Sequence, residues 1–144
     1  MNTFASLLKY RKGKPPSEAQ DRARSGFAGR VSQSKLRLRT PSVPIPQLGR
    51  LFIIGVASYA SDELSLLDEL EGALEDSQLN ADTEVFDILD CQDMGDFARF
   101  IPGVNGVYRT PVVGVVSDGR LVDQATGLDD VKSTLHRFSV LSHS

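Results

Sequence analysis

The pattern of apolar and polar positions is strongest from residue 51 onward. Leu51-Phe-Ile-Ile-Gly-Val56 is a continuous apolar run, as expected of a strand covered on both faces of a sheet. After it Leu64, Leu67, Leu70 and Leu74 recur at helical spacing, with Ser61 or Asp62 as N-cap and Asp62 and Glu63 placing negative charge in the first turn. This predicts a helix that ends between Asp76 and Leu79. Glu84 to Asp90 reads as a second strand, lying beside the first after the helical crossover. Gln92 to Phe100 predicts a short helix closed by Ile101-Pro-Gly103. Pro111 to Val116 and Arg120 to Ala125 flank Ser117-Asp-Gly119, a hairpin whose turn uses the Asp-Gly preference for positive φ. Leu128, Val131, Leu135 and Phe138 follow Gly127 as one face of a helix ending near Phe138. The order is β-α-β-α-β-β-α, an α/β domain over residues 48–140 with a short tail at 141–144 and no internal repeat.

Residues 1–47 interrupt that pattern. They hold five of the seven prolines and show no sustained period of 2 or 3.6. Their apolar residues, Phe4, Leu7, Leu8, Tyr10, Phe27, Val31, Leu36 and Leu38, are sparse against a backbone ordering cost of about 1–2 kcal/mol per residue. The expectation is an extended N-terminal arm, flexible alone, joined to the domain by the polyproline-like Pro41-Ser-Val-Pro-Ile-Pro46. Charge separates the same two pieces. Through residue 50 there are eleven Lys and Arg against two acidic residues, and beyond it five against seventeen, so the net charge of -3 conceals two opposite signs. Such an arm suits docking onto protein subunits of a larger assembly, with Phe4, Leu7, Leu8, Tyr10, Arg22, Arg24, Arg37 and Arg39 as anchors. Its basic residues also suit nucleic acid. A mitochondrial presequence is disfavoured by Pro15-Pro16, Glu18 and Asp21.

At 144 residues the chain has room for one domain and a tail. No apolar stretch approaches the roughly 20 residues of a membrane span, and the N-terminus lacks a secretory apolar region. The expected location is the cytoplasm or the interior of a viral particle. Cys91 is the single cysteine, which excludes an internal disulfide and a cysteine-based zinc site.

From Leu51 to Phe138 the chain resembles the thioredoxin-like superfamily. The resemblance rests on the order of elements and on Val85-Phe-Asp-Ile-Leu-Asp-Cys-Gln-Asp93, a short helix, and Ile101 through Thr110-Pro111, a strand and a Gly turn. It implies a central mixed sheet flanked by helices and a cis Thr110–Pro111 bond facing the active site. The chain departs from the family between the first strand and the first helix, where a Cys-x-x-Cys motif would stand. It reads Val56-Ala-Ser-Tyr-Ala-Ser-Asp62, which puts Ala57 and Ala60, or Ser58 and Ser61 in the next register, at the cysteine positions. Disulfide exchange needs a thiolate attacking sulfur, so dithiol chemistry is excluded and no catalytic residue is assigned.

The remaining chemistry-bearing residues have plain structural readings. Ser58, Tyr59 and Ser61 have no nearby His or Lys base, and the two serines read as caps. His136 and His143 lack partners at metal-ligand spacing, and Gly103, Gly106 and Gly114 form no phosphate-binding fingerprint. No cofactor or metal is expected. Asp62, Glu63, Asp68, Glu69, Glu71, Glu75 and Asp76 read as a solvated helix face able to attract the basic arm of a neighbouring copy. The expected function is a non-catalytic structural or assembly component held by its arm, with the neck or tail of a phage particle as one setting. The alternatives are a thiol-dependent redox or chaperone-like peptide-binding protein using Cys91, and an accessory factor of a nucleic-acid enzyme.

Overall fold

A computed structural model describes residues 18–33, 36–40, 42–58, 60–75, 82–88, 91, 96–104 and 110–141. In chain order the elements are α1 (Glu18–Ser32), β1 (Arg37–Leu38), β2 (Arg50–Val56), α2 (Ser61–Glu75), β3 (Asp82–Asp87), α3 (Phe97–Phe100), β4 (Val112–Ser117), β5 (Arg120–Thr126) and α4 (Leu128–Leu141). The five strands form one sheet in the order β1-β3-β2-β4-β5. β3 is parallel to both β1 and β2, while β4 runs antiparallel to β2 and to β5.

Alternation along the central strands divides the core into two layers. Leu51, Ile53 and Ala57 of the β2 segment join Phe86, Ile88, Val112 and Val116 on one face, covered by Phe97, Phe100 and Ile101. Phe52, Ile54 and Val56 point the other way, with Val85, Val113 and Val115, against Leu66, Leu67 and Leu70 of α2 and Val131 and Leu135 of α4. The continuous apolar run of β2 is the sequence mark of this two-sided burial. Gly55 interrupts the run because the Phe86 ring lies against it: a Cβ there would stand 2.5 Å from Cζ of that ring. Phe86 stacks on Phe100, with ring centroids 4.4 Å apart, and meets Phe97 edge-on.

The β4–β5 hairpin turns at Asp118 and Gly119, both at positive φ, as its Asp-Gly sequence predicts. Val115 pairs with Asp123 and Val116 with Leu121, so Val122 is an extra residue in β5 and stands 54% exposed. This bulge interrupts the outer edge of the sheet, a common protection against pairing with another strand.

The largest departure from the sequence reading lies in residues 18–40. Where an unstructured arm is expected, α1 forms and buries Phe27 and Val31, one helical turn apart, in the same layer as α2 and α4, together with Leu36. Fully burying a side chain such as Phe27 is worth roughly 1.5–3 kcal/mol. β1 then pairs with β3 through Arg37–Glu84 and Leu38–Val85. Two buried positions among the described side chains of a polar helix and a strand of two residues leave no periodic signal, which is why the pattern hides them. Residues 1–17, including Phe4, Leu7, Leu8 and Tyr10, lie outside the described residues.

Of the arm arginines, Arg39 is absorbed by the fold. Arg39 is 2% exposed. Its Nη1 donates to Glu84 Oε1 at 2.5 Å, its Nε donates to the Phe100 carbonyl, and its backbone N–H donates to Val85 O at 2.8 Å. Arg37 pairs with Asp82 at 2.7 Å on the surface, and Arg30 pairs with Asp68 and, at 3.8 Å, with Glu71. The acidic face of α2 therefore meets a basic residue of its own chain, where the sequence reading had a solvated face able to attract a neighbouring copy. Arg22 is exposed on α1, and Arg24 lies on the same helix.

The other elements shift modestly. β3 begins at Asp82 and ends at Asp87, two residues before the predicted start and three before the predicted end. Helix is described only from Phe97 to Phe100 of the predicted Gln92–Phe100 segment, and α4 runs to Leu141, beyond the predicted Phe138. No helix among the described residues is long and apolar enough to cross a membrane.

Candidate functional site

The site begins where β2 runs out of pairing partners. Past Val56 the Ala60 N–H donates to the Ala57 carbonyl at 3.0 Å, and the chain enters α2. Ala60 occupies the capping position, since its carbonyl accepts the Leu64 N–H at 3.0 Å. Ser61 is thus the first helical residue instead of the cap. Asp62 accepts the Glu63 N–H at 3.0 Å through Oδ1, taking up one of the helix's otherwise unpaired first-turn donors.

Glu63 is not part of a solvated helix face. It is 8% exposed and turned inward, beneath the loop. Its Oε1 accepts the Ala57 N–H at 2.9 Å, and its Oε2 accepts the Thr110 hydroxyl at 2.9 Å. One carboxylate thereby ties the loop after β2 to the turn before β4, where the Thr110–Pro111 bond is cis. Pro111 is buried, and its carbonyl accepts the Gly127 N–H at 2.8 Å, so the turn is anchored from β5's end as well.

Burial pushes the proton affinity of Glu63 above the ordinary carboxylate value. The two hydrogen bonds from Ala57 and Thr110 act against that rise, and the nearby carboxylates Asp62 and Asp87 add to it. Asp87, at the end of β3, is buried and accepts a long hydrogen bond of 3.4 Å from the Ser58 N–H. The floor of the site is therefore acidic. With one hydrogen bond accepted on each oxygen, Glu63 acts as a strut between two loops.

The sequence-predicted positions come together unevenly. Ala57, Ser58, Ala60, Ser61, Thr110 and Pro111 all line this junction, and Tyr59 lies outside the described residues. Cys91 is remote in chemistry: its side chain is fully buried in the layer of Phe97 and Ile101. Among the described residues no group of three or more His, Cys, Asp or Glu could hold a metal ion. The sequence reading missed Glu63, and its only available signal was an acid at the third position of a helix, which is indistinguishable in sequence from its exposed neighbour Asp62.

No family model and no curated protein matches the chain. Among solved structures it is similar to a mutant thioredoxin from Halobacterium salinarum at 17% identity, covering 73% of this chain and 91% of that one with a TM-score of 0.49. It is also similar to a protein described as a proposed oxidoreductase with a thioredoxin fold, at 11% identity, covering 96% and 98% of the two chains with a TM-score of 0.47. With its sheet order, its mixed strand pairing and a cis-proline at the head of β4, the chain is an α/β protein of thioredoxin-like fold.

Proposed function

We propose that this chain is a non-catalytic thioredoxin-like module, a binding component of a larger protein assembly. The observation that carries the reading is the head of α2. Ala57, Ser58, Ala60 and Ser61 stand where a dithiol would be needed, and the buried Glu63 ties the loop to Thr110 beneath them. Neither a methyl nor a hydroxyl group supports thiol–disulfide exchange. The burial of Cys91 supports the same reading, because a reactive thiol needs access as well as a lowered pKa.

Docking falls to residues 1–17 in this reading, with Phe4, Leu7, Leu8 and Tyr10 as anchors among four basic residues and no acidic one. Nucleic acid is the weaker partner, since Arg30, Arg37 and Arg39 of the basic segment already meet Asp68, Asp82 and Glu84. An insulin-disulfide reduction assay tests the catalytic half, with the expected rate equal to that of dithiothreitol alone. An acceleration that disappears in Cys91→Ser would overturn it. Light-scattering mass of the full chain, against the full chain with Phe4, Leu7, Leu8 and Tyr10 replaced by Ser, tests the docking half at low and high salt. Self-assembly lost on replacement supports docking through this segment, and two identical monomers remove it from the reading.

A further inference from the structure

Behind the loop after β2 a crevice of about 380 Å³ opens between α1 and the head of α2, lined by Gly26, Phe27, Arg30, Ser58 and Leu64. Its volume lies within the roughly 300–1,000 Å³ of small-molecule sites. Phe27 and Leu64 supply apolar wall. Gly26 leaves open space, since a Cβ built there meets nothing within 4 Å.

Two polar groups of this lining are buried without a hydrogen-bond partner among the described residues: the Ser58 hydroxyl, on a residue 4% exposed, and the Arg30 Nε–H. Buried donors in native proteins are nearly always satisfied, so two in one crevice call for an acceptor. The surrounding charge selects its kind. Arg30 already faces Asp68 and Glu71 through its terminal nitrogen, and Asp87 is held against the Ser58 N–H. With two carboxylates already on the guanidinium and Asp87 standing at Ser58, a further anion is repelled, whereas a neutral carbonyl oxygen can accept from these donors.

We propose that this crevice binds a small neutral ligand bearing a carboxamide or similar carbonyl on a compact apolar body. The carbonyl oxygen accepts from Ser58 Oγ and Arg30 Nε, and the body lies between Phe27 and Leu64. The site is separate from the docking role of residues 1–17 and from the Glu63 strut, and it stands or falls independently of both.

Isobutyramide is the probe, titrated over the millimolar range into the ¹⁵N-labelled full chain while backbone amide shifts are followed. Saturable shifts centred on Gly26, Phe27, Ser58 and Leu64 are expected. Ser58→Ala should weaken the affinity about fivefold, the equivalent of one neutral hydrogen bond. Gly26→Leu, which fills the open space and favours helix, should abolish the shifts while circular dichroism stays unchanged. Isobutyrate, the same body with a negative charge, should bind more weakly. Shifts that stay linear, or that survive both substitutions, overturn the site, and tighter binding of isobutyrate overturns the neutral-carbonyl assignment. If Gly26→Leu does not fold, the Ser58→Ala titration and the isobutyrate comparison decide alone.

Discussion

Among the carboxylates buried beside the sheet, Glu84 at its β1 edge and Glu63 at the head of α2 are compensated differently. Glu84 meets the guanidinium of Arg39, which also donates to the Phe100 carbonyl, so the edge strand, β3 and α3 share one ion pair. Glu63 is held by two neutral donors and stands near two more acids. A buried pair costs desolvation on both sides and is recovered only through close geometry, so the Arg39–Glu84 contact reads as a structural lock. A buried acid without a cation, at the junction of two loops, is the arrangement found more often at sites than in scaffolds. The comparison separates what locks the sheet edge from what ties together the two loops of the candidate site.

The largest expected effect tests the lock from outside. A chain starting at Leu48 would lose Phe27, Val31, Leu36 and Arg39 together, removing part of one core layer and leaving Glu84 buried without its cation. It should show no cooperative unfolding transition in urea, and a cooperative one would return residues 18–40 to the status of an arm. Next in size, Arg39→Leu should cost about 3–5 kcal/mol in urea unfolding, because the remaining charge is buried. Arg39→Leu combined with Glu84→Leu should recover most of that loss, whereas additive losses would deny the coupling.

Smaller effects belong to the strut. Thr110→Val removes one hydrogen bond to a carboxylate and should cost about 1.5–3 kcal/mol, measured the same way. The pH dependence has a definite sign. The folded protein holds a proton on Glu63 above the usual 4.5, so between that value and the folded one it binds more protons than the unfolded chain. The Glu63 contribution is complete below 4.5 and declines as pH rises through the folded value. Glu63→Gln keeps an acceptor for the Ala57 N–H and can donate to Thr110 Oγ1, so the wild type should lose stability relative to this variant over the range that opens as pH rises above 4.5. A constant difference across that range would show that Glu63 ionises as in water. Least affected is the exposed Arg37–Asp82 pair: Arg37→Ser should change stability by less than about 1 kcal/mol, which sharpens the contrast with Arg39 two residues away.

The amino-acid sequence by itself determined the elements from β2 to α4, because long apolar runs, leucines at helical spacing and an Asp-Gly turn are local signals that survive any packing. It also decided that Ala57, Ser58, Ala60 and Ser61 bring no thiol to the head of α2. Tertiary structure alone decided the fate of residues 18–40: α1 and β1 acquire their stability from the sheet they cover, not from their own pattern. It likewise distinguished Arg39 from Arg37 and Glu63 from Asp62, neighbours of the same charge in the chain that end on opposite sides of the surface. Charge is written in the sequence, but its cost and its use depend on depth and on what stands within hydrogen-bonding distance, and both are properties of the folded chain.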